Sequence, residues 1–115
     1  MELFDKDLLS LQEVRNILSK AKKAQEELAE FTQEQIDEIV RNIAKAAERE
    51  ATRLAKLAEE ETGFGKWEDK VIKNTFASKF VYDNIKDMKT VGIINEDKEN
   101  KVIDVAVPVG VVAGL

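Results

Sequence analysis

Apolar side chains recur every three or four residues along the first quarter of the chain, which is the spacing of one face of a helix. They include Leu11, Val14, Leu18 and Leu28. Just before this stripe, Ser10 and the glutamate three residues later match a capping box, in which each side chain accepts a hydrogen bond from an otherwise unpaired backbone N–H. We therefore expect a first helix over residues 10–30, preceded by an N-terminal tail over residues 1–9.

A second capping box follows at Thr32 and Gln35, and an apolar stripe resumes at Ile36. No glycine or proline occurs between residues 32 and 62, and Gly63 is suited to a left-handed C-terminal cap. This pattern predicts one long helix over residues 32–62. Its middle carries alanines between Ala44 and Ala58, so a neighbouring element could approach it closely there.

A third helix is predicted from Trp67 to residues 87–89, because apolar positions there are spaced by three to five residues. Gly63 and Gly65 lie between the second and third helices and predict a short hinge. Acidic residues at Glu68 and Asp69 would complement the positive N-terminal end of the third helix.

The hydrophobic period changes after residue 90. Two runs rich in β-branched residues, 91–94 and 101–107, enclose the polar residues 95–100. This arrangement predicts a β-hairpin from Val91 to Val107 with a loop of five or six residues. Pro108 cannot donate to a strand ladder, so the second strand should end there.

The last segment, from Val109 to Leu115, is apolar at successive positions, which is typical of a buried parallel strand covered on both faces. Such a strand needs covering layers and paired neighbours, and a lone hairpin is marginal in water. We expect those layers to come from residues beyond this chain. The alternative is a small α+β domain in which the three helices cover the hairpin and the strand. The predicted layout is a helical part over residues 10–89, a hairpin over 90–108 and a first core strand over 109–115.

Composition narrows the possible functions. The chain contains neither cysteine nor histidine, which excludes a thiol nucleophile, a histidine general base and a Cys/His zinc cluster within it. Its net charge of −5, without a basic stripe, argues against a nucleic-acid partner. No basic segment followed by an apolar core opens the sequence, and the longest apolar run is too short to cross a membrane. A cytoplasmic location is the default prediction.

Two groups of residues resemble parts of known sites. The carboxylates from Glu59 to Glu61, with Glu68 and Asp69, could be taken for a metal or acid/base cluster, but solvated charges at a helix end and a helix start explain them better. The Gly63-x-Gly65 pair resembles part of a phosphate loop, yet it follows a predicted helix, whereas phosphate loops follow a strand. The hinge is therefore the preferred interpretation.

The glycine-bearing segment from Val109 to Gly114 is a third candidate. A dinucleotide-binding fold can begin with such a strand, but the turn and helix that would complete the site do not follow within the sequence. The residues alone therefore predict no complete catalytic, cofactor-binding or metal-binding site on this chain.

The run from Glu60 to Lys70, continuing to Lys73 and Asn74, resembles the E-T-G-x-G-x-x-E-D-K-x-x-K-N signature of CoA-acylating acetaldehyde dehydrogenases. That family includes standalone enzymes and the N-terminal half of bifunctional aldehyde-alcohol dehydrogenases. The segment from Val107 to Val111 also resembles the end of the oligomerisation hairpin in the aldehyde dehydrogenase superfamily, with Val107 where the family often has Glu. The resemblance extends from about Leu9 to Leu115.

The resemblance implies an α/β fold of the aldehyde dehydrogenase type, of which this chain would supply three helices, a β-hairpin and the start of a buried strand. It implies a reaction in which a cysteine thiolate attacks the aldehyde, hydride passes to NAD, and the acyl group is transferred to CoA. The cysteine and the cofactor-contacting loop follow the matched region in the family. No catalytic or cofactor-binding residue is therefore assigned to this chain, and neither NAD nor CoA is expected to bind it.

The resemblance also implies two partners. The three helices would pack against the NAD-binding domain of the same enzyme, and the hairpin from Val91 to Val107 would contact a neighbouring subunit. The first hypothesis is thus an N-terminal portion of an acylating aldehyde dehydrogenase, inactive alone, with acetaldehyde as the default substrate and longer aldehydes left open. The second is a non-enzymatic helical and hairpin assembly module.

Overall fold

A computed structural model of the chain describes residues 4–114. The chain divides into two compact units: Thr32–Lys89 forms one, and the described residues of Met1–Phe31 and Thr90–Leu115 form the other. Over residues 4–114 the elements are five α-helices, a π-helical segment and a two-stranded antiparallel sheet. Among residues 4–114, no helix is both long and apolar enough to cross a bilayer.

Helix α1 spans Lys6–Leu28 and begins four residues before the predicted start. Asp5 is its N-cap, and the Asp5 carboxylate accepts hydrogen bonds from the backbone N–H groups of Asp7 and Leu8 at 2.9 and 3.1 Å. The predicted cap at Ser10 is wrong, because the Ser10 hydroxyl instead donates to the carbonyl of Lys6 at 3.0 Å, inside the helix. Asp5 and Ser10 are both residue types that cap helices. The upstream aspartate is the cap because its carboxylate accepts from two backbone N–H groups that have no partner within the helix.

Helix α2 spans Gln33–Arg49, and the capping box predicted at its start is confirmed. The Gln35 N–H donates to the Thr32 hydroxyl at 3.3 Å, and the Thr32 N–H donates to the Gln35 side-chain carbonyl at 2.9 Å. Helix α3 spans Ala51–Thr62 and ends at Gly63, whose φ of 67° confirms the predicted left-handed cap. The two capping predictions therefore place the outer limits of this region correctly.

The prediction of one uninterrupted helix over residues 32–62 is wrong at Glu50, which separates α2 from α3 with φ −91° and ψ 2°. The backbone ladder resumes at once, because the Leu54 N–H donates to the Glu50 carbonyl at 2.9 Å. On the far side of the break, Ala51 is buried and its carbonyl accepts a hydrogen bond from the Asn74 side chain at 3.0 Å. This contact with a distant residue favours the break over the straight helix that local propensity predicts.

The third predicted helix forms as a continuous helical run in three parts. Helix α4 spans Trp67–Thr75, a π-helical segment spans Phe76–Phe80, and helix α5 spans Val81–Ile85. The Ser78 hydroxyl lies in the π segment and donates to the Asn74 carbonyl at 2.7 Å. Serine side chains that bond back to the preceding turn bend helices, so this contact accompanies the irregularity.

The β-hairpin is confirmed, with β1 at Gly92–Asp97 and β2 at Val102–Ala106. The register pairs Ile93 with Val105 and Asp97 with Val102, with a bulge between Ile93 and Asn95. Strand β1 extends three residues further toward the turn than predicted, whereas β2 begins one residue later, so the loop contains four residues instead of five or six. Its last residue, Lys101, adopts a left-handed φ of 57°.

The strand predicted from Val109 does not form among the described residues, which place Val107 to Gly114 outside any strand. Val109 is 90% exposed. A strand requires a pairing neighbour, and an apolar strand also requires covering layers. The residues that the structure describes supply neither to this segment.

The buried core in residues 4–114 is small. Its apolar members are Ala51 and Ala55, and its polar member is Ser78. All three belong to the Thr32–Lys89 unit, where α3 packs against α4 and α2 packs against the π segment. The prediction that the alanines between residues 44 and 58 permit close approach is confirmed at these two positions.

Candidate functional site

Glu59, the first of the acidic residues near residue 60, joins two helices. One carboxylate oxygen of Glu59, near the end of α3, accepts a hydrogen bond from the Trp67 N–H at 2.8 Å and so satisfies a donor in the first turn of α4. The Lys56 ammonium lies 4.6 Å from the centre of the Trp67 ring, which is cation–π distance. Within residues 4–114, no group of three or more Asp, Glu, His or Cys side chains is arranged to hold a metal ion. Glu59 therefore has a structural role.

The glycines between α3 and α4 form the predicted hinge. Gly63 and Gly65 have φ values of 67° and 71°, in the left-handed region that glycine adopts without steric cost. The Gly63 N–H donates to the Glu59 carbonyl at 2.7 Å and closes the last turn of α3. A helix precedes this pair, whereas a strand precedes a phosphate loop. The pair therefore forms a short turn between two helices and differs from a phosphate loop.

An apolar groove of about 340 Å³ is formed by residues of the Thr32–Lys89 unit. It lies between α2, α3 and the helical run from Asn74, near the end of α4, to Ile85. The residues that line it are Val40, Ile43, Ala44, Ala47, Leu54, Asn74, Ala77, Ser78, Val81, Tyr82 and Ile85.

The chemistry of the groove is that of a packing surface. Two of its polar side chains are already used within the unit, since Asn74 donates to the Ala51 carbonyl and Ser78 donates to the Asn74 carbonyl. Apolar side chains that line the groove are exposed to solvent, and Ile43 is 63% exposed. An exposed apolar patch with internally satisfied polar groups is typical of a surface that packs against another protein surface.

Sequence reasoning missed this groove. The feature of the sequence that pointed to it was the occurrence of Asn74 and Ser78 among the apolar positions of the third predicted helix. A polar side chain on an apolar face usually marks a specific hydrogen bond. Here both side chains form such bonds, and the bond from Asn74 to the Ala51 carbonyl links two helices that form walls of the groove.

The β-hairpin presents a second open surface. Side chains alternate between its two faces, so Ile103 and Val105 share one face and Val102 and Asp104 share the other. Ile93 is the cross-strand partner of Val105, which extends the first face across both strands. All three side chains of that face are about half exposed. On the other face, the Asn95 amide donates to the Asp104 carboxylate at 3.0 Å.

Carboxylates with shifted pKa values lie at turns and caps. Hydrogen bonds from the Asn100 backbone, the Asn100 side chain and the Glu99 backbone lower the pKa of Asp97, at the tip of the hairpin. Backbone and Thr32 hydrogen bonds lower the pKa of Glu34, and Arg53 is the main cause of the lowered pKa of Glu50. None of these shifts raises a carboxyl pKa toward neutrality, which a general acid would require.

Comparison with known proteins assigns the family. The model of the aldehyde dehydrogenase family matches residues 6–115. The bifunctional aldehyde-alcohol dehydrogenase AdhE of Escherichia coli (strain K12) is 47% identical over 103 residues, which are 90% of this chain and 12% of that relative. The chain therefore spans about an eighth of the length of this curated relative.

Two solved structures share the fold. An acetylating aldehyde dehydrogenase from Geobacillus thermoglucosidasius is 59% identical, with a TM-score of 0.80 over 85% of this chain and 22% of that one. A probable aldehyde dehydrogenase from Listeria monocytogenes is 62% identical, with a TM-score of 0.84 over 90% of this chain and 23% of that one. The predicted resemblance to acetylating acetaldehyde dehydrogenases and the predicted fold class are confirmed, and the chain belongs to the aldehyde dehydrogenase family.

Proposed function

We propose that this chain is the N-terminal portion of an NAD-dependent oxidoreductase that interconverts an aldehyde plus CoA with an acyl-CoA through a cysteine thioester. The observation that carries the proposal is the 59% identity, with a TM-score of 0.80, to the solved structure of an acetylating aldehyde dehydrogenase. Acetaldehyde is the proposed default substrate, because the signature from Glu60 to Asn74 resembles that of CoA-acylating acetaldehyde dehydrogenases. Comparing acetaldehyde with propionaldehyde in the longer enzyme tests this choice.

Within such an enzyme, the chain would serve as scaffold. The thioester chemistry requires a thiol, and the sequence contains no cysteine. NAD and CoA both carry phosphate groups, which bind to backbone N–H groups at helix N-termini or to cations. The groove has a mostly apolar lining without Lys or Arg, which supports the proposal that neither cofactor binds there. The catalytic cysteine and both cofactor sites are therefore proposed to lie on residues outside this sequence.

The proposed partner of the groove is the remainder of the same enzyme. The relatives are several times longer than this chain, and the groove exposes apolar side chains that could pack against such a remainder. Replacing Ile43 with glutamate should leave the isolated chain folded, since this side chain is already 63% exposed. In the longer enzyme, the same change would bury a charge without a partner and should lower the thermal midpoint by several degrees or more.

A matched control is Glu38→Gln, a change on the exposed surface of the same helix. It should leave the thermal midpoint of the longer enzyme nearly unchanged. If Ile43→Glu lowers that midpoint no more than Glu38→Gln does, then the groove is open in the whole enzyme and the proposed packing is wrong.

An activity assay tests the reaction itself. The purified 115-residue chain should form no NADH when acetaldehyde, CoA and NAD are added, as followed by absorbance. A polypeptide that continues this reading frame to the full length of the relatives should form NADH only when both acetaldehyde and CoA are present. NADH formation by the short chain would contradict the scaffold role, and CoA-independent activity of the long one would contradict the acylating reaction.

The hairpin is proposed as a contact between two copies of the enzyme. The supporting observation is its half-exposed apolar face of Ile93, Ile103 and Val105, next to unpaired strand edges. Ile103→Lys should shift the longer enzyme toward monomer in size-exclusion chromatography with light scattering. Val102→Lys is the matched control, because Val102 is equally exposed and points to the opposite face of the same strand. Equal effects of both changes would argue against a face-specific contact.

The same hairpin supports the second candidate, a non-enzymatic assembly module. That function would require the 115-residue chain to form a defined oligomer and to melt cooperatively by itself. Light scattering and circular dichroism on the isolated chain distinguish the assembly module from the enzyme scaffold. A monodisperse, cooperatively melting dimer would favour the module, whereas helical signal without a cooperative transition would favour a scaffold that depends on a larger enzyme. A cytoplasmic location is proposed for either.

A further inference from the structure

We draw no further inference here: the strongest candidate, the apolar groove of about 340 Å³ between α2, α3 and the helical run from Asn74 to Ile85, faces no covering surface among residues 4–114, and its burial by the remainder of a larger enzyme is already part of the proposed function.

Discussion

The α3–α4 helix pair and the β-hairpin are held together in different ways. The helix pair depends on side chains: Ala51 and Ala55 are buried between the helices, and Asn74 and Glu59 bond across to the other helix. The hairpin depends on its backbone ladder and on a loop organised by one aspartate, while its apolar side chains remain about half exposed. A change in side-chain volume should therefore affect the first region strongly and the second region weakly.

The largest effect is expected for Ala55→Leu. Ala55 is fully buried, and the additional methyl groups would have to separate α3 from α4, which costs about 1–3 kcal/mol for overpacked sites. Hydrogen exchange of amides in the two helices would measure the loss of stability, which should appear as faster exchange. Thr52→Leu, on the exposed side of the same helix, introduces the same side chain and should leave exchange unchanged. Equal exchange in both variants would show that the helices do not pack in solution as described.

Hairpin amides give an internal reference for this experiment. Exchange within Gly92–Asp97 should be the same in Ala55→Leu and in the parent chain, because the ladder is local to the hairpin. If the exchange of these amides also rises, the two regions are energetically coupled and the contrast between them is wrong.

A smaller effect is expected for Asn74→Ala. The variant loses a part-buried hydrogen bond to the Ala51 carbonyl, and such bonds contribute about 0.5–1.5 kcal/mol. The amides around Glu50 should exchange faster, because this bond holds the junction between α2 and α3. Asn84→Ala is the control: Asn84 lies on the exposed surface of α5, so its loss should not change exchange at that junction. Faster amide exchange that is confined to α5 in both variants would contradict the role given to Asn74.

The smallest effect is the pH dependence of the hairpin tip. The pKa of Asp97 is lowered in the folded chain, so its stabilisation is fully present above the ordinary aspartate pKa of about 3.9 and is lost as the pH falls through the lowered value. The amide resonances of Glu99 and Asn100 should shift together over this acidic range. In Asp97→Asn, which retains an acceptor oxygen without a titrating proton, that shift should disappear. Its persistence would assign the titration to another group.

Local signals in the sequence predicted the parts of the fold that depend on neighbouring residues. The Thr32 capping box, the Gly63 cap and the hairpin all involve atoms only a few residues apart, so residue types at fixed offsets identify them. The α1 start at Asp5 was also local, but Ser10 offered an equally valid cap pattern. Residue type alone does not decide between two such caps.

The features that the sequence did not predict depend on contacts between distant residues. The break at Glu50 accompanies a hydrogen bond from Asn74, 23 residues from its acceptor Ala51, and no glycine or proline marks it. For the same reason the groove, which is built from α2, α3 and the helical run from Asn74 to Ile85, could not be located before these elements were placed.

The hydrogen bond between the Glu59 carboxylate and the Trp67 amide has a consequence for folding during synthesis. It joins residues eight positions apart, so its loop-closure entropy is small. Contacts of low sequence separation form fast, and chains fold from the N-terminal side as they leave the ribosome. In the proposed longer enzyme, of which this chain would be the N-terminal portion, we therefore expect the α3–α4 pair to close before most of the polypeptide has been synthesised. The groove would then be exposed to solvent, and open to chaperones, until the rest of the polypeptide arrives.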